Sequence, residues 1–247
     1  MALKISDLTV VVLAGGRGTR IQHLLDGLPK PMAPVAGRPF LEWVVRYLAA
    51  QGLRRVVIST GYRAEVVNDF FAGRPVPEVS VECVAEPEPL GTAGGFLHAA
   101  AASRSTPPAW LVLNGDSLVF AELQPALALL GAGETKGVII GREVEDAARF
   151  GTLETGVGGE LLRFAEKRPG RGVINAGVYL LPHELLASFP AGRPLSFEQD
   201  VFSKLTGSGG LLKVHAVNAP FLDIGTPESL PRADLFIREN HHRFSGL

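Results

Sequence analysis

Residues 8–20 read LTVVVLAGGRGTR, an apolar, β-branched run that passes directly into a glycine-rich loop. The run at 8–13 predicts a strand that is buried on both faces, as in a parallel sheet. In open sheets of this kind, ligands bind beyond the carboxyl ends of the strands. The loop from Gly15 to Arg20 therefore lies where a ligand is expected, and its glycines allow backbone N–H groups to approach an anion closely.

Strand-like and helix-like segments alternate downstream of this loop. The spacing of apolar residues predicts helices at 40–51, 64–71 and 94–103, and strands at 55–60, 79–84 and 109–113. The second half is more mixed, with strands predicted at 137–141, 151–154 and 173–180 and helices near 197–205 and 227–239. This order favours an α/β fold with a mainly parallel, mixed central sheet. We predict one domain over 1–247, with halves at about 1–120 and 121–247.

The composition argues against several classes of function. The chain has 247 residues and a formal net charge of −1, so no overall field draws it to nucleic acid or to a membrane surface. No apolar run reaches the roughly 18–20 residues that cross a bilayer, and Met1–Asp7 does not read as a secretory signal. The lone Cys83, in a strand-like run, fits a core position in a reducing compartment. We expect a cytoplasmic monomer or small homo-oligomer.

Two cations near the loop are suited to binding phosphate. Arg20 can make a bidentate contact, and Lys30 is flanked by two prolines that stiffen the backbone around it. The loop is not a Walker loop, because no Gly-Lys followed by Ser or Thr occurs. It is not a dinucleotide fingerprint either, because the third fixed position counted from Gly16 is Ile21. Taken alone, the loop could still be a tight turn with a solvated Arg and Lys.

Two aspartates follow apolar segments that are far apart in the chain. Asp116 lies in the run NGDS at 114–117, and Asp223 lies in FLDIGTP at 221–227. Mg²⁺ is commonly held by one or two carboxylates, with substrate phosphates and water completing its shell. Taken singly, each aspartate could instead be a turn or cap residue.

The run at 13–20, with PKP at 29–31, resembles the signature of the sugar nucleotidyltransferases, and further segments match in order from Leu8 to about Asp234. The resemblance implies a Rossmann-like, GT-A type three-layer sandwich. It also implies Mg²⁺-dependent transfer of a nucleoside monophosphate to a sugar 1-phosphate, with release of pyrophosphate. The implied catalytic residues are Arg20, Lys30, Asp116 and Lys167, and the implied metal ligands are Asp116 and Asp223. The implied nucleotide-binding residues are Leu13, Ala14, Gly15, Gly16, Gly18, Thr19, Glu86, Gly91 and Thr92.

The sugar side of the site rests on the segments RFGT at 149–152, FAEKRP at 164–169 and INAGVY at 174–179. By resemblance, Lys167 would hold the sugar 1-phosphate, Glu166 and Asn175 would bond sugar hydroxyls, and the backbone of Gly151 would shape the pocket. Without the resemblance, residues 166–168 read equally well as a solvated charge run. The run FEQD at 197–200 reads first as the acidic start of a helix, although it could also abut the sugar.

The segment EPEPLGTAG at 86–94 resembles the nucleoside loop of the family. A carboxylate at Glu86 could accept from the ring N–H and the exocyclic amine of guanine, whereas uracil or thymine offers it one ring donor. Segments at 29–40, 113–117 and 174–179 are most similar to guanylyltransferases of D-glycero-D-manno-heptose 1-phosphate. GTP is therefore the favoured nucleotide.

Three alternatives stay open or are disfavoured at this point. The chain could be a mannose-1-phosphate guanylyltransferase or a uridylyl- or thymidylyltransferase, or it could be a non-catalytic sugar-nucleotide-binding regulatory domain. A glycosyltransferase is disfavoured, since its Asp-x-Asp motif is replaced by Asp116-Ser117-Leu118. No histidine stands in a motif, and His241 and His242 read as a frayed tail.

Overall fold

The computed structural model describes residues 3–73, 76–133, 135–148, 150–165, 169–190, 193–206 and 212–244. The predicted sugar-phosphate residues Glu166 and Lys167 lie outside the described residues. The strands are β1 Thr9–Ala14, β2 Pro34–Val35, β3 Arg38–Pro39, β4 Arg55–Thr60, β5 Ser80–Ala85, β6 Ala109–Asn114, β7 Ser117–Val119, β8 Val138–Val144, β9 Thr152–Thr155, β10 Leu161–Ala165, β11 Gly172–Pro182, β12 Lys213–Val217 and β13 Phe221–Asp223. The helices are α1 Phe40–Ala50, α2 Ala64–Gly73, α3 Gly91–Ala102, α4 Leu123–Gly131, α5 Ser203–Thr206 and α6 Ala233–Glu239.

The main sheet is mixed, and seven of its nine described strands run in one direction, while β10 and β11 run in the opposite direction. β1 lies between β4 and β6, and β5 extends the sheet beyond β4, all in parallel register. β11 runs antiparallel to both β6 and β8, and β12 returns parallel to β8. The hairpin of β9 and β10 joins the sheet at the start of β11, and β7 pairs with β13 in a separate two-stranded ribbon. The expectation of a mainly parallel, mixed central sheet is confirmed.

The alternation along β1 shows how the sheet separates two apolar layers. Val10, Val12 and Ala14 face one hydrophobic cluster, which also contains the buried sides of α1, α2, α4 and α6. Val11 faces the other cluster, which contains α3 and the helical turns around Phe197. Helices on both faces of the sheet give the three-layer sandwich. Among the described residues, no helix has the length and apolar character needed to cross a membrane.

Local patterns predicted the first half better than the second. Strand β4 has the predicted bounds, whereas α3 begins at Gly91, three residues before its predicted start. Helix α4 was missed because Pro125 interrupts its pattern, although proline is tolerated in the first turn, where it lies. The segment predicted as a helix near 197–205 forms a π-helix at Phe197–Phe202 before α5. The helix predicted near 227–239 begins as a 3₁₀ turn at Leu230–Arg232.

The prediction of a frayed tail at His241–His242 is wrong. Residues His241–Phe244 form a 3₁₀ turn, and the ring of Phe244 is buried. Its ring packs edge-on against Trp43 at 5.0 Å between centroids and against Phe120 at 5.7 Å. Two histidines in sequence suggested a solvated end, but the aromatic residue that follows them anchors the segment to α1.

We expect Phe244→Ala to lower the free energy of unfolding by about 3–5 kcal/mol, because it removes a buried aromatic ring and leaves a cavity. Leu235→Ala on α6 is the matched control. Leu235 is 60% exposed, so its truncation should change stability by about 0.5 kcal/mol or less. Urea unfolding of both variants measures the difference. Equal, small effects would show that the turn at 241–244 does not anchor the chain end.

Candidate active site

The carboxyl ends of β1, β4, β5 and β6 meet at one edge of the sheet, and three of the pockets there adjoin one another at Asp116. The Glu86 pocket, of about 320 Å³, is lined by Leu13, Gly15, Gly16, Glu86, Pro89, Gly91, Thr92, Asn114 and Asp116. The loop pocket, of about 230 Å³, is lined by Leu13, Ala14, Gly16, Gly18, Thr19, Arg20, Lys30, Pro31 and Asp116. The Asn175 pocket, of about 210 Å³, is lined by Arg20, Asn114, Asp116, Ser117, Phe150, Asn175, Ala176, Gly177, Phe221 and Asp223. Asp116 lines all three pockets and marks their junction.

The carboxylate of Glu86 is held in one orientation. The hydroxyl of Ser59, buried in β4, donates to Glu86 Oε1 at 2.9 Å, and the backbone N–H of Leu90 donates to Oε2 at 3.1 Å. A Cβ atom at Gly95 would lie 2.7 Å from Glu86 Oε1, and one at Gly15 would lie 2.5 Å from it. A side chain at either position would displace the carboxylate from this orientation. Each carboxylate oxygen keeps acceptor capacity beyond these bonds.

The other wall of the Glu86 pocket is tied to a distant segment of the chain. Gly91 opens α3 with φ of +74°, and a Cβ atom there would lie 2.5 Å from the carbonyl oxygen of Leu195. That carbonyl accepts the N–H of Ala93 at 2.9 Å. The hydroxyl of Thr92 accepts the N–H of Phe197 at 2.9 Å. The start of α3 is therefore fixed from outside by residues 195–197.

The loop pocket brings two cations to the glycine-rich turn. Gly18 has φ of +59°, and a Cβ atom there would lie 2.7 Å from Cβ of Lys30. Lys30 itself is only 6% exposed, while Arg20 and Thr19 stand exposed at the rim. A glycine is required at 18 both by its left-handed backbone and by the close approach of Lys30.

The pairing of β7 with β13 brings the two predicted metal aspartates together. Ser117 lies opposite Asp223 in this ribbon, and the N–H of Ile224 donates to the carbonyl of Asp116 at 3.0 Å. The ammonium of Lys30 lies between the two carboxylates. Its Nζ is 2.6 Å from Asp116 Oδ2 and 3.8 Å from Asp223 Oδ1.

The electrostatics of Asp223 show that this cluster favours a cation. Burial, and then the negative charge of Asp116, raise the pKa of the Asp223 carboxyl, while Lys30 acts in the opposite direction. The N–H of Gly225 also stabilises the carboxylate, donating to Oδ1 at 2.6 Å. A Cβ atom at Gly225 would lie 2.7 Å from that oxygen and would displace the carboxylate from its present position. Two carboxylates in a partly dry site repel each other unless positive charge lies near them.

The Asn175 pocket is built around an irregularity in β11. The register of β11 against β8 shifts between Asn175 and Val178, and Gly177 has φ of +72°. The amide oxygen of Asn175 accepts the N–H of Gly177 at 2.9 Å, which fixes the side chain at the bulge. Phe150 and Phe221 also line this pocket and pack edge-on against each other.

The structure places most of the predicted residues in these three pockets, and their chemical roles stay predictions. Gly151 is exposed beside Phe150, which lines the Asn175 pocket. Cys83 packs partly against the core, and burial raises the pKa of its thiol to about 11. Sequence reasoning missed Ser59, which orients Glu86, and Asn114 as a lining residue, although Asn114 stands in the quoted run NGDS. Ser59 carries no sequence signal beyond being a polar residue in a buried strand.

The profile of the nucleotidyl transferase family matches residues 9–240, nearly the whole chain. The chain belongs to the nucleotidyl transferase family. The match spans every strand named above and all three pockets.

Two relatives are similar to this chain in sequence, and a solved structure is similar to it in fold. A D-glycero-alpha-D-manno-heptose 1-phosphate guanylyltransferase of Campylobacter jejuni is 31% identical over 222 residues, covering 88% of this chain and 95% of the relative. A mannose-1-phosphate guanylyltransferase of Mycobacterium tuberculosis is 35% identical over 230 residues, covering 91% of this chain but 64% of the relative. The crystal structure of HddC from Yersinia pseudotuberculosis is 32% identical, with a TM-score of 0.81 and coverage of 92% and 98%. HddC has also been solved as a complex with GMP-PN.

We expect Lys30→Met to lower the stability of this nucleotidyl transferase by about 1–2 kcal/mol, because it leaves two carboxylates without their ammonium. The figure is below that of a fully buried pair because the Asp116 side chain is 38% exposed. In the background of Asp116→Asn the same substitution should cost less, giving a coupling above about 0.5 kcal/mol in a double-mutant cycle.

Urea unfolding of the four proteins measures this coupling. The matched control is the pair Arg163–Glu154, which has the same 2.6 Å separation but an exposed arginine. Its cycle should give a smaller coupling, since solvent screens exposed pairs. Additive effects of Lys30→Met and Asp116→Asn would refute a structural ion pair at the junction of the pockets.

Proposed function

We propose that this chain is a sugar-1-phosphate nucleotidyltransferase that transfers GMP from GTP to D-glycero-D-manno-heptose 1-phosphate and releases pyrophosphate. The observation that carries the proposal is the junction at Asp116. A pocket with a fixed carboxylate, a glycine-rich pocket with two cations and a third pocket with an amide all open onto this one residue. A nucleoside, a triphosphate and a sugar phosphate need such an arrangement to place the reacting phosphates side by side.

In the proposed reaction a phosphate oxygen of the sugar 1-phosphate attacks the α-phosphorus of GTP. The new P–O bond forms as the bond between the α-phosphorus and its bridging oxygen breaks, and pyrophosphate leaves. The attacking oxygen is already anionic, so no general base is required. Arg20 and Lys30 would neutralise charge on the phosphates, and Lys167 is proposed to hold the sugar phosphate. Loss of one such cation typically costs about 10²–10³ in rate.

Asp116 and Asp223 suit Mg²⁺, as proposed from the sequence. Their oxygens are the hard ligands that this ion prefers, and their mutual repulsion already draws the ammonium of Lys30 between them. Among the described residues, no group of three or more His, Cys, Asp or Glu side chains converges on one point. A pair of carboxylates, completed by substrate phosphates and water, is the usual magnesium arrangement. When bound, Mg²⁺ supplies positive charge to the phosphates.

The preference for GTP is supported by the way Glu86 is held. Its two oxygens are separately anchored by Ser59 and by the N–H of Leu90, and Glu86 lines the largest of the three pockets. A carboxylate fixed in this way offers two adjacent acceptors, which match the ring N–H and exocyclic amine of guanine. Uracil has a single ring N–H and therefore donates to only one of these two acceptors.

The choice of a heptose rests on the relatives. The chain covers 95% of the Campylobacter jejuni heptose 1-phosphate enzyme and 98% of the HddC structure. In this proposal Glu166 and Asn175 bond sugar hydroxyls, and the backbone at Gly151 shapes the pocket. Mannose 1-phosphate is the second candidate, because the Mycobacterium tuberculosis enzyme is 35% identical, although the chain spans 64% of its length.

The first experiment measures pyrophosphate release with Mg²⁺, combining GTP, UTP, dTTP, CTP and ATP with heptose, mannose and glucose 1-phosphates. We expect the highest turnover with GTP and the heptose, and loss of turnover when EDTA removes the metal. Turnover with another pair would keep the reaction class and overturn the assigned substrates. Nucleotide binding without turnover of any pair would instead favour a regulatory sugar-nucleotide-binding domain.

Glu86→Gln should lower the ratio of kcat/KM for GTP over UTP by about 10- to 100-fold, because a bidentate contact to a base is worth about 1–3 kcal/mol. In this variant kcat/KM for ITP, which lacks the exocyclic amine, should fall less than kcat/KM for GTP. Glu88→Gln is the matched control, since Glu88 is an exposed acid in the same loop. Unchanged nucleotide selectivity in Glu86→Gln would show that this carboxylate does not read the base.

A further inference from the structure

A hydrogen-bonded chain that the proposed reaction does not use lies behind the Asn175 pocket. The hydroxyl of Tyr179, a fully buried residue of β11, accepts from Nδ2 of Asn175 at 2.9 Å and donates to Oε1 of Glu198 at 3.2 Å. The hydroxyl of Ser196 donates to the other oxygen of Glu198 at 2.9 Å. Glu198 lies in the π-helix Phe197–Phe202, a segment that follows β11 by fifteen residues. Both of its oxygens are thus engaged within the protein.

The amide of Asn175 has one allowed orientation in this network. The N–H of Gly177 can only donate, so it faces Oδ1, and the carboxylate of Glu198 can only accept, so it faces Nδ2, at 3.4 Å. Burial, and then the charge of Glu198, raise the pKa of the Tyr179 hydroxyl well above its ordinary value, which keeps it a donor to the carboxylate. Both Nδ2 hydrogens of Asn175 therefore point to protein groups. Its Oδ1 retains one lone pair beyond the bond from Gly177.

We propose that Glu198 is a positioning residue that orients the amide of Asn175 so that its oxygen accepts a hydrogen bond from a sugar hydroxyl. The inference rests on the proposed function, because Asn175 lines the pocket assigned there to the sugar. It adds the direction of the hydrogen bond, because the sugar hydroxyl must donate to the amide oxygen of Asn175. It also assigns a role to a carboxylate that reaches the sugar only through Asn175.

Glu198 matters because the amide of Asn175 has two possible orientations. Without a carboxylate beside Nδ2, the amide of Asn175 can rotate to present either its oxygen or its NH₂ group to the pocket. The bond from Gly177 opposes this rotation, but a neutral bond of this kind is weaker than one to a charged acceptor. Glu198 therefore turns a side chain that could either donate or accept into a fixed acceptor.

The test compares Glu198→Gln, Asn175→Asp and their double variant by steady-state kinetics with GTP and D-glycero-D-manno-heptose 1-phosphate. If the first panel gives mannose 1-phosphate as the substrate, that sugar phosphate is used instead. Each single variant should raise KM for the sugar 1-phosphate about 10-fold, the equivalent of one lost hydrogen bond, with a smaller change in kcat and in KM for GTP. Asn175→Asp alone places two carboxylates against each other.

The double variant separates positioning from direct contact. Asn175→Asp combined with Glu198→Gln restores a donor–acceptor pair with its direction reversed, because the carboxylate and the amide have exchanged places. A carboxylate oxygen at position 175 still faces the pocket, so KM for the sugar 1-phosphate should return to within about threefold of wild type. If Glu198 touched the sugar itself, or acted only on folding, the double variant would be at least as impaired as the singles, and the inference would be overturned.

Asp200→Asn is the matched control. It makes the same kind of change in the same π-helix, but Asp200 accepts from Arg193 and from the N–H of Ser196 and does not face Asn175. KM for the sugar 1-phosphate should stay at the wild-type value in this variant. An equal rise in Asp200→Asn and Glu198→Gln would mean that any disturbance of the helix is responsible, which would also overturn the inference.

A second measurement starts from the wild-type protein and adds a single variant as a check. Wild-type protein is tested with the 2-, 3- and 4-deoxyfluoro analogues of the same sugar 1-phosphate, since fluorine cannot donate a hydrogen bond. One analogue should have KM raised about 10-fold, and that penalty should disappear in Asn175→Ala. Full affinity for all three analogues would overturn the inference while turnover of the parent sugar leaves the proposed function intact. No turnover of any sugar phosphate by wild type would overturn the proposed function itself.

Discussion

The ammonium of Lys30, 2.6 Å from Asp116 and 3.8 Å from Asp223, is the interaction around which the site is organised. The two carboxylates are forced together by the pairing of β7 with β13, and burial raises the pKa of Asp223. Positive charge at this point is therefore a requirement of the fold as well as of any phosphate chemistry. Because Lys30 is itself buried, the residues packed around its side chain must leave space for the ammonium at this one position.

That requirement explains glycines that lie far apart in the sequence. Gly18 leaves room for the stem of Lys30, and Gly225 leaves room for its ammonium and for the carboxylate of Asp223. Gly115 lies against the carbonyl of Leu13, which accepts its N–H at 2.8 Å. A side chain at Gly18 or Gly115 would push apart elements that meet at the junction of the pockets, and one at Gly225 would displace the side-chain ends of Asp223 and Lys30. The glycines are thus packing constraints, and at Gly18 a constraint on backbone conformation as well.

The sequence predicted those parts of the fold whose signal is local. Strand β4 and the first glycine loop follow from apolar runs and glycines within a few residues, and both lie where predicted. The meeting of Asp116 with Asp223 depends on a ribbon of two three-residue strands that are far apart in the chain, for which no periodicity exists. Their proximity was predictable only from the family resemblance. The bond from Ser59 to Glu86 likewise depends on two neighbouring strands ending together.

The sequence also did not reveal that one segment, residues 195–198, contacts groups in two of the pockets. Leu195 receives the N–H of Ala93, and Phe197 donates to Thr92, so residues 195–197 hold the start of α3 beside the Glu86 pocket. The very next residue, Glu198, faces Asn175 in the third pocket. Consecutive residues therefore fix groups on both sides of Asp116.

This connection gives a physical reason for the π-helix at Phe197–Phe202. A regular α-helix starting at the same point would advance its side chains by a different angle per residue. In the π-helix, Phe197 and Phe202 are both buried and their rings stack with 5.1 Å between centroids, while Glu198 contacts Asn175. Irregular helical turns are often found at functional sites, and here the irregularity lies between two anchored pockets. Because one segment orders both pockets, a ligand that binds in one pocket does not have to supply the free energy of ordering the groups of the other.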